Sequence, residues 1–138
     1  MAEPKSGIRI YSLDEANSVL PRVRKDLSRL RVLRRQIVSR QALVDVEEIS
    51  ASGHISPESR KRIESFLAEI ERDVHSFHKA SEELHSLGCE LKDLDKGLVD
   101  FYGMRGNEVV YLCWMDGEEA VTHWHPLDSG FKGRQPID

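Results

Sequence analysis

Two apolar rhythms of helical spacing, separated by one short break, limit what this chain can become. Leu13, Ala16, Leu20, Val23, Leu27 and Leu30 recur every three or four residues, which puts them on one face of a helix. The pattern continues less cleanly through Leu33, Ile37 and Val44 to about Ile49. Residues 50–56 (Ser-Ala-Ser-Gly-His-Ile-Ser) interrupt it, and Ile63, Phe66, Leu67, Ile70, Val74, Phe77, Leu84 and Leu91 resume it. Each stretch has its own start signal. Ser12-Leu13-Asp14-Glu15 fits a capping box, in which the Ser12 hydroxyl and the Glu15 carboxylate each accept from the other's amide. Ser56-Pro57 pairs a capping serine with proline at the tolerated first position. Pro21 falls inside the first stretch, where it removes one helical hydrogen bond and should bend the helix or delay its start. Gly88 is a terminator for the second helix, although the spacing to Leu91 extends the pattern a turn further. Helices of about 30 residues run about 45 Å. Joined by a short loop, they predict an antiparallel hairpin over about residues 12–91.

The last third is different. Residues 97–101, 108–114 and 119–125 are rich in β-branched and aromatic side chains, with glycines between them at Gly103, Gly106 and Gly117. They predict an antiparallel β-meander of three or four strands, with residues 8–11 a candidate to complete it. Two glycines and two prolines in Pro126–Asp138 predict an irregular tail. The expected class is α+β in one domain over residues 1–138, a length that buries a core without disulfides. No run approaches the roughly 20 apolar residues needed to span a bilayer. The first residues lack the apolar run of a secretory signal, so the expected compartment is the cytoplasm, with Cys89 and Cys113 reduced.

Charge is segregated. Eight basic residues lie between Leu20 and Gln41, opposed only by Asp26, and nine acidic ones lie between Glu64 and Asp95. The arginines cover more than half of the helical circumference, no aromatic residue is interleaved among them, and the net charge is −4. That pattern favours pairing of a basic helix with an acidic one, within a hairpin or across a homodimer, over nucleic-acid binding. Leu33, Ile37, Val38 and Val44 would leave an apolar flank on a lone hairpin, which also points to self-association.

Phosphate-loop, dinucleotide, zinc-protease and serine-hydrolase motifs are all missing from the sequence. The chemistry-bearing residues that remain form two sets. His85 and Cys89, four apart, would share a helix face, and His123 and His125, two apart, would share a strand face. Together they suit tetrahedral zinc, or iron with a carboxylate added, and Asp128 would orient an imidazole. A metal there would support hydrolysis through an open coordination position. The second set is a polar cleft of Lys92, Asp93, Asp100, Asp128 and Arg134 around His125. If Asp116-Gly117 makes a two-residue type I′ turn, as the Asp-Gly pair favours, Met115 faces Glu118 and Cys113 lies on the opposite face from His123 and His125, whereas a three-residue turn with a glycine bulge would reverse this. Cys113 is therefore left out of the metal set. Cys89 at a helix C-terminus would be a poor nucleophile, because the partial negative charge there opposes the thiolate. A protein with no catalysis, working as an interaction module through its hairpin, is the alternative reading.

Several stretches resemble a family of small prokaryotic proteins catalogued as domain of unknown function 2203. They are residues 11–17 with Leu20-Pro21, residues 88–94, 97–101 and 111–114, and the tail from Trp124-His125-Pro126 to Gln135-Pro136. The resemblance implies a shared fold and no known activity. It implies that Lys92, Asp100, Trp124, His125 and Arg134 belong to the common pattern, whereas His85 and His123 stand outside it and Cys89 is replaceable. Met115 stands where the family pattern has arginine. These departures favour the polar cleft around His125, or a metal site particular to this protein.

Overall fold

The computed structural model describes residues 8–138. Helix α1 runs Leu13–Ser50 and α2 runs Pro57–Ser86. A five-stranded antiparallel sheet follows in the order β1 (Cys89–Asp93), β2 (Leu98–Arg105), β3 (Glu108–Met115), β4 (His123–Pro126) and β5 (Gln135–Pro136). The class is α+β, with a helical hairpin and a β-meander. Contacts divide the described residues into two compact units: residues 8–27 together with Glu82–Asp138, and Ser28–Ser81. Among the described residues, no helix is long and apolar enough to cross a membrane.

Both start signals act as their chemistry dictates. The Ser12 amide donates to Glu15 Oε1 at 2.9 Å, and the Glu15 amide donates to Ser12 Oγ at 3.1 Å. The Ser59 amide donates to Ser56 Oγ at 3.1 Å, capping α2. Pro21 lies within α1 and does not delay its start, and the side chain of Pro21 faces solvent.

Two boundaries differ from expectation. First, α2 ends at Ser86, and Gly88 turns the chain into β1 with φ +88°. The Gly88 amide caps the helix by donating to His85 O at 2.9 Å. The Leu91 spacing therefore belongs to a strand, not to a further helical turn. Second, residues 8–11 contribute only a single parallel bridge, Tyr11 to Gly103. The strands that bring the sheet to five are β1 and β5.

In the sheet-containing unit, one face of the sheet carries Val99, Phe101, Leu112 and Trp114, all buried together with Tyr11, Leu20, Val23 and Leu27. Each such side chain contributes about 1.5–3 kcal/mol by leaving water. Tyr11 meets Phe101 edge-on at 5.0 Å between centroids, and its hydroxyl donates to the Leu87 carbonyl. In the hairpin unit, Arg40 pairs with Glu69 and Asp73, and Arg62 pairs with Glu47, so basic and acidic segments of the two helices face each other. Leu67 and Val74, part of the apolar rhythm of the second helix, remain 47% and 37% exposed.

Gly88 combines a left-handed backbone with crowding: an added Cβ would stand 3.0 Å from Arg9 Cβ. We expect Gly88→Ala to lower unfolding free energy by about 1–3 kcal/mol. Gly106→Ala, also at positive φ but in open space, should cost less; chemical denaturation of both variants measures the difference.

Candidate metal centre

The faces of the sheet are assigned by its register. Asp100 pairs with Cys113 and Cys113 with His123, while Tyr102 pairs with Tyr111 and Tyr111 with His125. Directly opposed residues share a face. Glu90, Asp100, Tyr102, Tyr111, Cys113, His123 and His125 therefore share the face opposite Phe101 and Trp114.

Asp116-Gly117 makes a two-residue turn, closed by the Glu118 amide donating to Met115 O at 3.0 Å, but it is not the type I′ turn expected, because only Gly117 takes a positive φ (+106°). Beyond the turn the chain does not continue as a simple hairpin. Arg24 donates to the Glu118 and Glu119 carbonyls, Trp114 Nε1 donates to Glu118 O at 2.9 Å, and the amide of the buried Val121 donates to Asn17 Oδ1 at 2.7 Å. The chain leaves the ladder to make these bonds and rejoins it only at His123, opposite Cys113. Relative to a hairpin continued straight from the turn, the offset is odd, so the histidines change face. This corrects the expectation that Cys113 lies away from them.

The result is a buried cluster of Asp100, Cys113 and His125, each offering one ligand atom, with all three atoms within 4.8 Å of one another. Asp100 and His125 are each 2% exposed and Cys113 is fully enclosed. His125 Nδ1 lies 2.8 Å from the Pro126 carbonyl, which can only accept, so this nitrogen carries a proton. Its Nε2 lies 3.1 Å from Asp100 Oδ2. Asp100 Oδ1 is buried without a hydrogen-bond partner. Burial, reinforced by the Asp100 carboxylate, pushes the Cys113 thiol up to about 12. Nδ1 is committed to the Pro126 carbonyl, Nε2 faces the Asp100 carboxylate with its lone pair, and the thiol holds its proton. The trio is thus unsuited to nucleophilic cysteine chemistry, which needs a thiolate.

The other expected residues take different places. Lys92 Nζ lies 4.0 Å from Asp100 Oδ2, 3.4 Å from Glu90 and 4.4 Å over the Tyr111 ring, at the edge of the cluster. Tyr111 donates to Glu90 Oε2 at 2.6 Å, and burial followed by Glu90 pushes its phenol above the ordinary range. Arg134 binds both oxygens of Glu118, at 2.7 and 2.9 Å. Asp93 closes the β1–β2 turn by accepting from the Lys96 amide. Asp128 is exposed, and the Pro126 carbonyl takes the imidazole proton that Asp128 was expected to hold. His123 is on the correct face but bonds Thr122 Oγ1 at 2.9 Å. His85 is exposed in the last turn of α2. Cys89 lies on the apolar face, opposite Phe101, with its thiol 3.5 Å from the Leu84 carbonyl and pushed by burial to about 12. The strand that replaces the last helical turn thus removes the His85–Cys89 helix face. Cys113 is the residue that sequence reasoning missed. The available signal was the Val99-Asp100-Phe101 alternation, which puts Asp100 on the face away from Val99 and Phe101; the pairing that brings Cys113 opposite Asp100 is a matter of register.

Both thiols are protonated in the fold at pH values where the unfolded chain ionises. The unfolded state therefore binds fewer protons, and stability falls with rising pH. For metal-free protein we expect a loss on the order of a few kcal/mol between the ordinary thiol value of 9.0 and about 12. Denaturant titrations across that range should show a shallower slope for Cys113→Ala.

The model of a family described as uncharacterized conserved protein (DUF2203) matches residues 9–137. No curated protein and no solved structure matches the chain significantly.

Proposed function

The chain therefore belongs to the DUF2203 family, and because membership assigns no chemistry, we propose from the site itself that this protein binds a divalent metal through Asp100, Cys113 and His125. One observation carries the reading. Three unlike donors converge within 4.8 Å in buried residues, and one carboxylate oxygen among them has no partner. An orphaned buried acceptor costs about 1–3 kcal/mol, and a cation between the donors removes that cost.

The local chemistry supports it. With Nδ1 donating to the Pro126 carbonyl, Nε2 keeps its lone pair for a metal, which is how backbone carbonyls commonly orient ligating histidines. Nε2 and Oδ2 stand 3.1 Å apart, and two ligands of a tetrahedral zinc at about 2.0–2.2 Å each stand roughly 3.3 Å apart. Mixed nitrogen, oxygen and sulfur donors suit zinc first and iron second. Three protein donors leave a fourth position, and a metal with an open position lowers the pKa of bound water for hydrolysis. Cys113 is a fitting ligand because coordination displaces the proton that burial otherwise keeps on its sulfur.

Metal content by inductively coupled plasma mass spectrometry, on untagged protein purified without chelators and then loaded with zinc, tests this directly. We expect one ion per chain. Asp100→Asn, Cys113→Ala and His125→Ala should each weaken binding by at least about a hundredfold, while Cys89→Ala and His85→Ala retain it. Cobalt loading should give a thiolate charge-transfer band that is lost only in the Cys113 variant among single cysteine changes. Folded wild-type protein that takes up no zinc overturns the reading.

A further inference from the structure

The hairpin unit does not bury what its sequence offers. Between Pro57 and Lys79 no residue of α2 is fully buried, and Ile63, Phe66, Ile70 and Phe77 are only partly covered. The deficit is larger on α1. Val38, Val46 and Ile49 are 62%, 59% and 78% exposed, more than any other large apolar side chain among the described residues. They do not point toward α2, whose side is taken by Leu33, Ile37, Arg40 and Val44.

Val38 and Ile49 fall on one stripe. Arg35, Val38, Ala42, Asp45 and Ile49 follow one another at spacings of three, four, three and four, and all are exposed. That is the 3-4 spacing of a coiled-coil seam. Its first four positions are basic at one end, acidic at the other and centred on valine and alanine, with Ile49 one turn beyond Asp45. A surface with this polarity is complementary to itself when a second copy is turned end for end. Val38 then faces Ala42, Arg35 faces Asp45, and each contact occurs twice, as a two-fold interface requires. In this register the two kinds of seam position alternate across the contact, the pairing natural to antiparallel helices. A parallel arrangement would instead oppose arginine to arginine and aspartate to aspartate. A polyanion fits poorly, because Asp45 and the neighbouring Glu48 lie at the acidic end of the stripe.

We propose that this outer face of α1 is the contact surface of an antiparallel dimer of two copies of this chain, registered by Arg35 on one copy against Asp45 on the other. The inference uses none of the metal-site residues and stands or falls separately from that reading.

Sedimentation velocity on the full chain, from micromolar to submillimolar concentration, provides the test. Wild type should dimerise. Arg35→Glu and Asp45→Arg each convert two attractions into two repulsions and should raise the dimer dissociation constant by at least about tenfold. Two further samples fix the register. An equimolar mixture of the two single variants restores both attractive pairs and should dimerise like wild type. The double variant Arg35→Glu/Asp45→Arg should also recover, because each copy then presents the same complementarity reversed. A wild-type chain that stays monomeric overturns the proposal and leaves the stripe to a different partner. Single variants that dimerise as tightly as wild type place any dimer on another face, and a double variant that fails to recover excludes this register.

Discussion

Side chains alternate faces along a strand, so where β4 joins β3 decides which residues meet. A two-residue turn continued directly into pairing would carry His123 and His125 to the face of Val110 and Leu112. The bonds from Arg24, Asn17 and Trp114 hold residues 118–121 out of the ladder. Burial of Val121 contributes to the same diversion. The odd displacement that results carries His125 beside Asp100 and Cys113. Contacts on the apolar side of the sheet thus determine the composition of its polar side.

That polar side is enclosed without being fully satisfied. Asp100 is as buried as the core aliphatic residues, yet one of its oxygens finds no donor. Cys89 shows what a cysteine does here when nothing but packing is asked of it. It sits on the apolar face near a backbone carbonyl, and burial keeps it protonated. Cys113 is equally protonated but faces a carboxylate and an imidazole. The neighbours, not the thiol, separate a filler from a candidate ligand. The same neighbours disfavour a nucleophile, since burial and the Asp100 carboxylate keep the Cys113 thiol protonated.

The hairpin unit obeys a different logic. Its two helices present basic and acidic segments to each other, through Arg40 with Glu69 and Asp73 and through Glu47 with Arg62. Surface pairs of this kind give register and orientation more than stability. Two helices bury one stripe each, and here the apolar content exceeds one stripe. Part of the remainder on α1, Val38 with Ala42, lies exposed between Arg35 and Asp45.

Local chemistry was readable from the chain alone. The two capping signals, the helix periods, the break at residues 50–56, the Asp-Gly turn and the change to strands after residue 97 each depend on neighbours within a few positions. His125 and Asp100 were also readable as members of one polar set, because the segments that carry them are recognisable in sequence. What sequence could not decide was the end of α2, where the 88–91 stretch satisfies helical spacing but is drawn into the sheet by pairing with β2. Nor could it decide the face of Cys113 relative to the histidines. That depended on Asn17 and Arg24, roughly 100 residues earlier in the chain, binding the loop after the turn. Helix caps and turns are set by bonds between near neighbours, whereas strand register is set by whatever holds the connecting loop, and here that is a helix from the other end of the chain.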